Sequence, residues 1–113
     1  MERRIGPDTA QVVQLYGKPL LGSGGVGVDR SVTATTSAAT LMPANANRAR
    51  FYVANDSTID VYIRPGGAAA TAVAGAGNVK VAANGGFFEL AGDADAWSII
   101  AASGTPAVSA REF

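Results

Sequence analysis

Asp93 and Asp95, in Gly92-Asp93-Ala94-Asp95, are the residues whose types and spacing come nearest to chemistry: such a pair could begin a calcium loop or form an acid/base dyad. A hard-cation loop needs about six oxygen ligands, commonly including a further carboxylate downstream, and nothing acidic follows until Glu112. The pair is therefore expected to sit in a turn on a solvated edge. Asp56 and Asp60, flanking a second turn, are read the same way. Serine and threonine are plentiful, but with no histidine present there is no usual base for them, and neither Lys18 nor Lys80 stands in a context that marks it as one. The glycines of Gly22-Ser23-Gly24-Gly25-Val26-Gly27 invite a phosphate-cradle reading. They lack the Gly-Lys-Ser/Thr ending, and no helix is expected to follow and supply its dipole. Without cysteine or histidine, disulfides and zinc clusters are closed as well. The expectation is a protein that is not an enzyme and needs no metal or cofactor.

One binding chemistry stays open. Tyr16, Tyr52, Tyr62 and Trp97 could stack on sugar rings if they lined one face. Alternation points Tyr62 outward and puts Trp97 on the same side as Ile99, in the core, so a carbohydrate platform would rest on two tyrosines.

The elements that would have to position any such site are short strands. From Ser31 to Phe113, β-branched and aromatic segments are interrupted by turn clusters near Asn45, Asp56, Gly66, Gly75, Gly85, Asp93 and Gly104. That is the rhythm of a small antiparallel β-sandwich. Ser31–Thr36, Arg50–Ala54, Ile59–Arg64, Asn78–Ala82, Phe87–Leu90, Ala96–Ala102 and Pro106–Arg111 read as strands. In Ile59-Asp60-Val61-Tyr62-Ile63-Arg64 the strict alternation buries Ile59, Val61 and Ile63. Three successive hairpins are expected, at Asn55–Thr58, at Asn84-Gly85-Gly86 and at Ser103-Gly104-Thr105. Ala68–Ala74 is too short, between Gly67 and Gly75, to nucleate a helix and is read as a weak strand or loop. The fold class is all-β: seven or eight short strands in two sheets, with jelly-roll or Greek-key connections, and a core led by Phe51, Ile59, Val61, Ile63, Phe87, Phe88, Leu90, Trp97, Ile99 and Ile100.

Residues 1–30 differ from this body. Gln11–Tyr16 could pair as a strand, Lys18-Pro19-Leu20-Leu21 follows, and Gly22–Gly27 makes a flexible joint. The organisation is thus an extended N-terminal arm and glycine-rich joint over 1–30 and a β-sandwich domain over 31–113. The arm's Val12, Val13, Leu15, Tyr16, Leu20 and Leu21 are too apolar for a solvated tail and are its expected partner-binding residues, lying on the chain's own body, a neighbouring copy or a larger assembly. Nine Lys and Arg balance nine Asp and Glu, so capture of nucleic acid or of an anionic membrane is not expected. No apolar run is long enough to span a bilayer, and no secretion signal is evident at Met1-Glu2-Arg3-Arg4. A domain of this size without cross-links gains stability by assembling, which favours a homo-oligomer.

Arg48-Ala49-Arg50-Phe51-Tyr52-Val53-Ala54-Asn55-Asp56-Ser57, continued by Ile59-Asp60-Val61-Tyr62-Ile63-Arg64, resembles the small β-sandwich structural proteins of tailed bacteriophage particles. Phe87-Phe88-Glu89-Leu90 and Ser103-Gly104-Thr105-Pro106-Ala107-Val108 are similar to their aromatic-glutamate strand and closing hairpin. The resemblance covers roughly Thr33 to Glu112. It implies a virion building block, in first place a capsid decoration or cement protein made in the host cytoplasm and seated on the outer shell. Such proteins are often trimers that reach the major capsid protein with a terminal arm. Head fibres, tail components and their adaptors use similar sandwiches, so those positions on the particle stay open, as does a carbohydrate- or receptor-binding module.

Overall fold

A computed structural model describes residues 26–66, 70 and 77–113. They form β1 (Val28–Asp29), β2 (Val32–Thr33), β3 (Ala39–Met42), β4 (Arg50–Asn55), β5 (Val61–Pro65), β6 (Val79–Val81), β7 (Gly86–Ala91), β8 (Trp97–Ala101) and β9 (Ala107–Glu112). One sheet has the order β1-β9-β4-β7, with β2 also paired to β9, and the other has the order β3-β8-β5-β6. Every pairing is antiparallel.

The pairings nest. β5 pairs with β6, β4 with β7, β3 with β8, and β1 and β2 with β9. The chain is one long antiparallel ribbon rolled so that its successive sections alternate between two sheets. Rolling adds the pairs β4 with β9 and β5 with β8. This is the jelly roll.

Rolling also corrects the expected hairpins. β4 and β5, β6 and β7, and β8 and β9 are consecutive, yet the members of each pair lie in different sheets. Their connections cross the end of the sandwich. Asn84 and Gly85 do adopt the left-handed backbone expected of Asn-Gly, with φ of 63° and 104°, but the turn hands the chain across to the opposite sheet. Ser57 O and Asn55 O accept its Asn84 and Gly85 amides at 2.7 and 2.8 Å. Ser31–Thr36 is shorter than expected, holding only β2. Residues 28–33 run along β9 as an interrupted strand, the break being filled where Ser31 Oγ accepts the Ala110 amide at 3.2 Å. Most of Ala68–Ala74 lies outside the described residues.

Alternation determines the core. Phe51 and Val53 of β4 face Val61, Ile63, Ile99 and Trp97 of the second sheet, with Met42, Val81 and Val108 closing the ends, all buried. Phe51, Phe88 and Trp97 form an aromatic triad with ring centroids 5.1 to 5.9 Å apart. Three expected core residues sit elsewhere. Ile59 precedes β5 and is half-buried, Ile100 is half-buried on the outer side of its sheet, and Phe87 is 60% exposed. Phe87 and Phe88 are neighbours on one strand, so only one of them can face inward.

Candidate interaction surface

Each end of the sandwich has a buried polar centre. At one end, Asn55 Nδ2 donates to Ile59 O and Val81 O at 2.8 and 2.9 Å, while its Oδ1 accepts from the Ser57 amide and hydroxyl. This ties the β4–β5 crossing to the edge of the second sheet. Asp60 accepts the Ala83 amide at 2.8 Å and faces Lys80 at 3.5 Å. The Ala83 bond, aided by Lys80, holds its carboxyl below the ordinary value despite the opposing effect of desolvation.

At the other end stands the largest charged cluster of the described residues. Arg48 is fully buried and Glu112 is 1% exposed; Arg48 Nε donates to Glu112 Oε1 at 2.8 Å. Arg30 Nε donates to Oε2 at 2.6 Å and Asn45 Nδ2 to Oε1 at 3.2 Å. The remaining Arg48 nitrogens donate to the carbonyls of Pro43, Asp93 and Asp95 at 2.7 to 3.1 Å. Asp93 Oδ2 accepts the Trp97 indole N–H at 2.6 Å. The Asp93/Asp95 pair belongs to a loop whose carbonyls satisfy an arginine; Asp95 is exposed, as a solvated turn predicts, whereas Asp93 is half-buried against Trp97 and Arg48. No group of three or more potential metal ligands occurs among the described residues.

Burial alone would raise the Glu112 carboxyl, but hydrogen bonds from Arg48, Arg30 and Asn45 outweigh it and hold the group below its ordinary value of 4.5. A carboxylate with a depressed native pKa contributes stability that is complete above the unfolded value and is lost as pH falls through the native one. The melting temperature should accordingly fall as pH is lowered from 5 through the acid range. Glu112→Gln should flatten that dependence and lower stability at neutral pH, read by thermal denaturation across a pH series. Asp29 and Asp60, shifted the same way by hydrogen bonds from Ser31 and Ala83, retain a residual slope in both proteins.

The outer face of the first sheet has a different character. Outward positions of β4, β7 and β9 bring together Arg50, Tyr52, Phe87, Glu89 and Arg111, joined by Phe113. Tyr52 stacks on Phe87, with centroids 5.8 Å apart and planes 19° apart, and reaches Phe113 at 6.3 Å. The Arg50 guanidinium lies 4.0 Å above the Phe113 ring, and its Nη1 donates to Glu89 at 3.2 Å. Its Nε is buried with no acceptor. Val26 and Val28, at the Phe113 end, are 79% and 49% exposed.

No family model, curated protein or solved structure matches this chain.

Of the residues singled out from sequence, Val12, Val13, Leu15, Tyr16, Leu20 and Leu21 lie outside the described residues. The sugar-platform tyrosines are separated. Tyr52 is on the outer face of the first sheet, Tyr62 on that of the second, and Trp97 is buried between them. A shallow depression beside β2 and β9, lined by Ser31, Val32, Thr33, Ala107, Val108 and Ser109, contains no titratable side chain. Sequence reading missed Phe87 and Phe113 as surface aromatics; the signal was the opposite parity of Phe87 and Phe88 along β7.

Proposed function

We propose that this protein is a structural virion component, a capsid decoration or cement protein that binds the outer phage head and stabilises it by bridging subunits of the major capsid protein. The observation that carries the reading is the joining of an apolar leader to a rigid body beside an exposed aromatic face. Residues 1–25, with six large apolar or aromatic positions between Val12 and Leu21, are attached at Val26, at the Phe113 end of a stripe that continues through Tyr52 to Phe87. The resemblance to small phage sandwiches supports the same assignment, as does the small jelly-roll body, whose ionic and amide centres lock its two ends. In this reading the protein is a homo-oligomer, a trimer in first place, and many weak contacts to the shell add through avidity.

The body starts earlier than residue 31 in one respect that shapes the test. Val28 and Asp29 pair with β9, and Arg30 holds Glu112. Deletion should therefore stop at residue 25. The chain lacking residues 1–25 is expected to stay folded by circular dichroism while co-sedimentation with capsid shells falls at least tenfold. Undiminished shell binding by the folded, shortened chain would reject the arm's role, and failure of the full chain to bind any head shell would reject the assignment.

A further inference from the structure

The aromatic stripe has a direction. It runs from Phe113, beyond β9, through Tyr52 on β4 to Phe87 on β7, crossing a sheet whose neighbouring strands are about 4.8 Å apart. The chain outside the described residues is rooted at the Phe113 end. A Cβ on Gly27 would lie 2.8 Å from the Phe113 ring, Gly27 has a φ of +79°, and Val26 O accepts Arg111 Nη1 at 3.0 Å. Only glycine allows the backbone both this conformation and this approach.

The direction of departure favours a neighbour's stripe over the arm's own. β1 is antiparallel to β9, with Val28 opposite Glu112. Followed backward from Val28, the chain runs in the same sense as β9 and leaves past the end of the sheet where Glu112 lies. Phe87 is opposite Ala54, four positions from Arg50 along β4, so the stripe leads about 13 Å the other way. To cover its own stripe, the arm would have to reverse within residues 22–25. To cover a neighbour's, it need only continue.

The chemistry of the two surfaces matches. The stripe offers aromatic faces flanked by Arg50, Glu89 and Arg111. Residues 11–21 offer Val12, Val13, Leu15, Tyr16, Leu20 and Leu21 with one charge, on Lys18. In an extended segment of this composition Val13 and Leu15 share one face and Val12 and Tyr16 the other, so apolar side chains meet the sheet whichever face is turned to it.

We infer that residues 11–21 of one copy pack across the Phe113–Tyr52–Phe87 stripe of a second copy. Each copy gives one arm and receives one. The contact is heterologous, so a closing rotation gives a ring. This deepens the proposed function by naming the partner of the arm, and it rests on that reading. Shell affinity is then lost on arm deletion because the oligomer, and with it the avidity, is lost.

The absence of cysteine from the chain makes the test direct. Gln14→Cys and Ser109→Cys, placed in separate full-length chains and mixed under mild oxidation, should give a disulfide-linked heterodimer identified by mass. The outward-facing Ser109 is opposite Ala54 beside the stripe. Gln14→Cys mixed with Thr58→Cys, an exposed position at the sandwich end away from Glu112, should give at least tenfold less. A chain with both Gln14→Cys and Ser109→Cys should link into multimers. Monomers closed on themselves would overturn the exchange between copies, and no preference for Ser109 over Thr58 would overturn the site. As a second measurement, Tyr52→Ser with Phe87→Ser should shift the sedimenting species to monomer with the sandwich signal retained; an unchanged oligomer would overturn the proposal. Shell binding is scored separately. A protein that binds shells through its arm but fails the cross-link refutes only the exchange, whereas one that cross-links yet binds no shell refutes the decoration role.

Discussion

Arg48→Met should cost about 3–5 kcal/mol, the scale of breaking a buried ion pair from one side. A domain of this size has only ~5–15 kcal/mol in total, so the melting temperature should drop by roughly 15–30 °C or folded protein should not accumulate. Methionine fills much of the arginine's volume, which makes the loss electrostatic more than steric. Glu112 would keep Arg30 and Asn45 but lose its most buried donor, and the carbonyls of Pro43, Asp93 and Asp95 would lose theirs. Those carbonyls belong to the two crossings that close this end of the roll, β3 to β4 and β7 to β8. Arg50→Met is the control. Its pair with Glu89 is surface-exposed and should contribute less than ~1 kcal/mol. Adding Glu112→Leu to Arg48→Met should recover part of the loss, because no carboxylate is then left half-satisfied indoors. A double-mutant cycle by urea denaturation that found additive effects would contradict this account.

Glu112 and Arg48 also show where sequence reading reached and where it stopped. The alternation that buries Val61 and Ile63 was plain, as was that of Trp97 and Ile99, and the structure has all four inside. The same parity ran through Val108, Ala110 and Glu112, and it placed the glutamate indoors. The expected strand, Pro106–Arg111, stops one residue short of it. A buried carboxylate becomes acceptable only when its partners are known, and they come from residues 30, 45 and 48, far away in sequence.

The connections were less legible for a different reason. Alternation tells which side of a strand faces the core, but both sheets of a sandwich share that core. Asn55–Thr58, Asn84–Gly86 and Ser103–Thr105 each have hairpin chemistry, and the same left-handed turn residues serve a crossing at the end of a sandwich. What separates the two outcomes is long-range pairing, β4 choosing β7 and β9 over β5. No local pattern records that choice.

Phe51→Ala should be as damaging as the loss of Arg48, and by a different route. Phe51 is fully buried, its ring meets Trp97 edge-on at 5.1 Å and Phe88 at 5.9 Å, and the Arg48 guanidinium lies 5.6 Å from its centroid. Truncating a buried phenylalanine costs about 3–5 kcal/mol through lost transfer energy and a cavity that closes only in part, and an aromatic pair adds ~0.5–1.5 kcal/mol beyond area. The strands around it are pinned by their ladders, so the space cannot readily collapse. Phe87→Ala supplies the contrast. The two phenylalanines share a chemistry and a sheet but lie on opposite faces, and Phe87 packs chiefly on Tyr52 in the open. Its removal should change stability by less than about 1 kcal/mol while weakening self-association. Urea denaturation and sedimentation on the two variants separate the roles: the inner ring holds the sandwich together, and the outer one is available to a neighbour. A large stability loss on Phe87→Ala would mean that the outer face is bracing the sheet and would remove the reason to regard it as a contact surface.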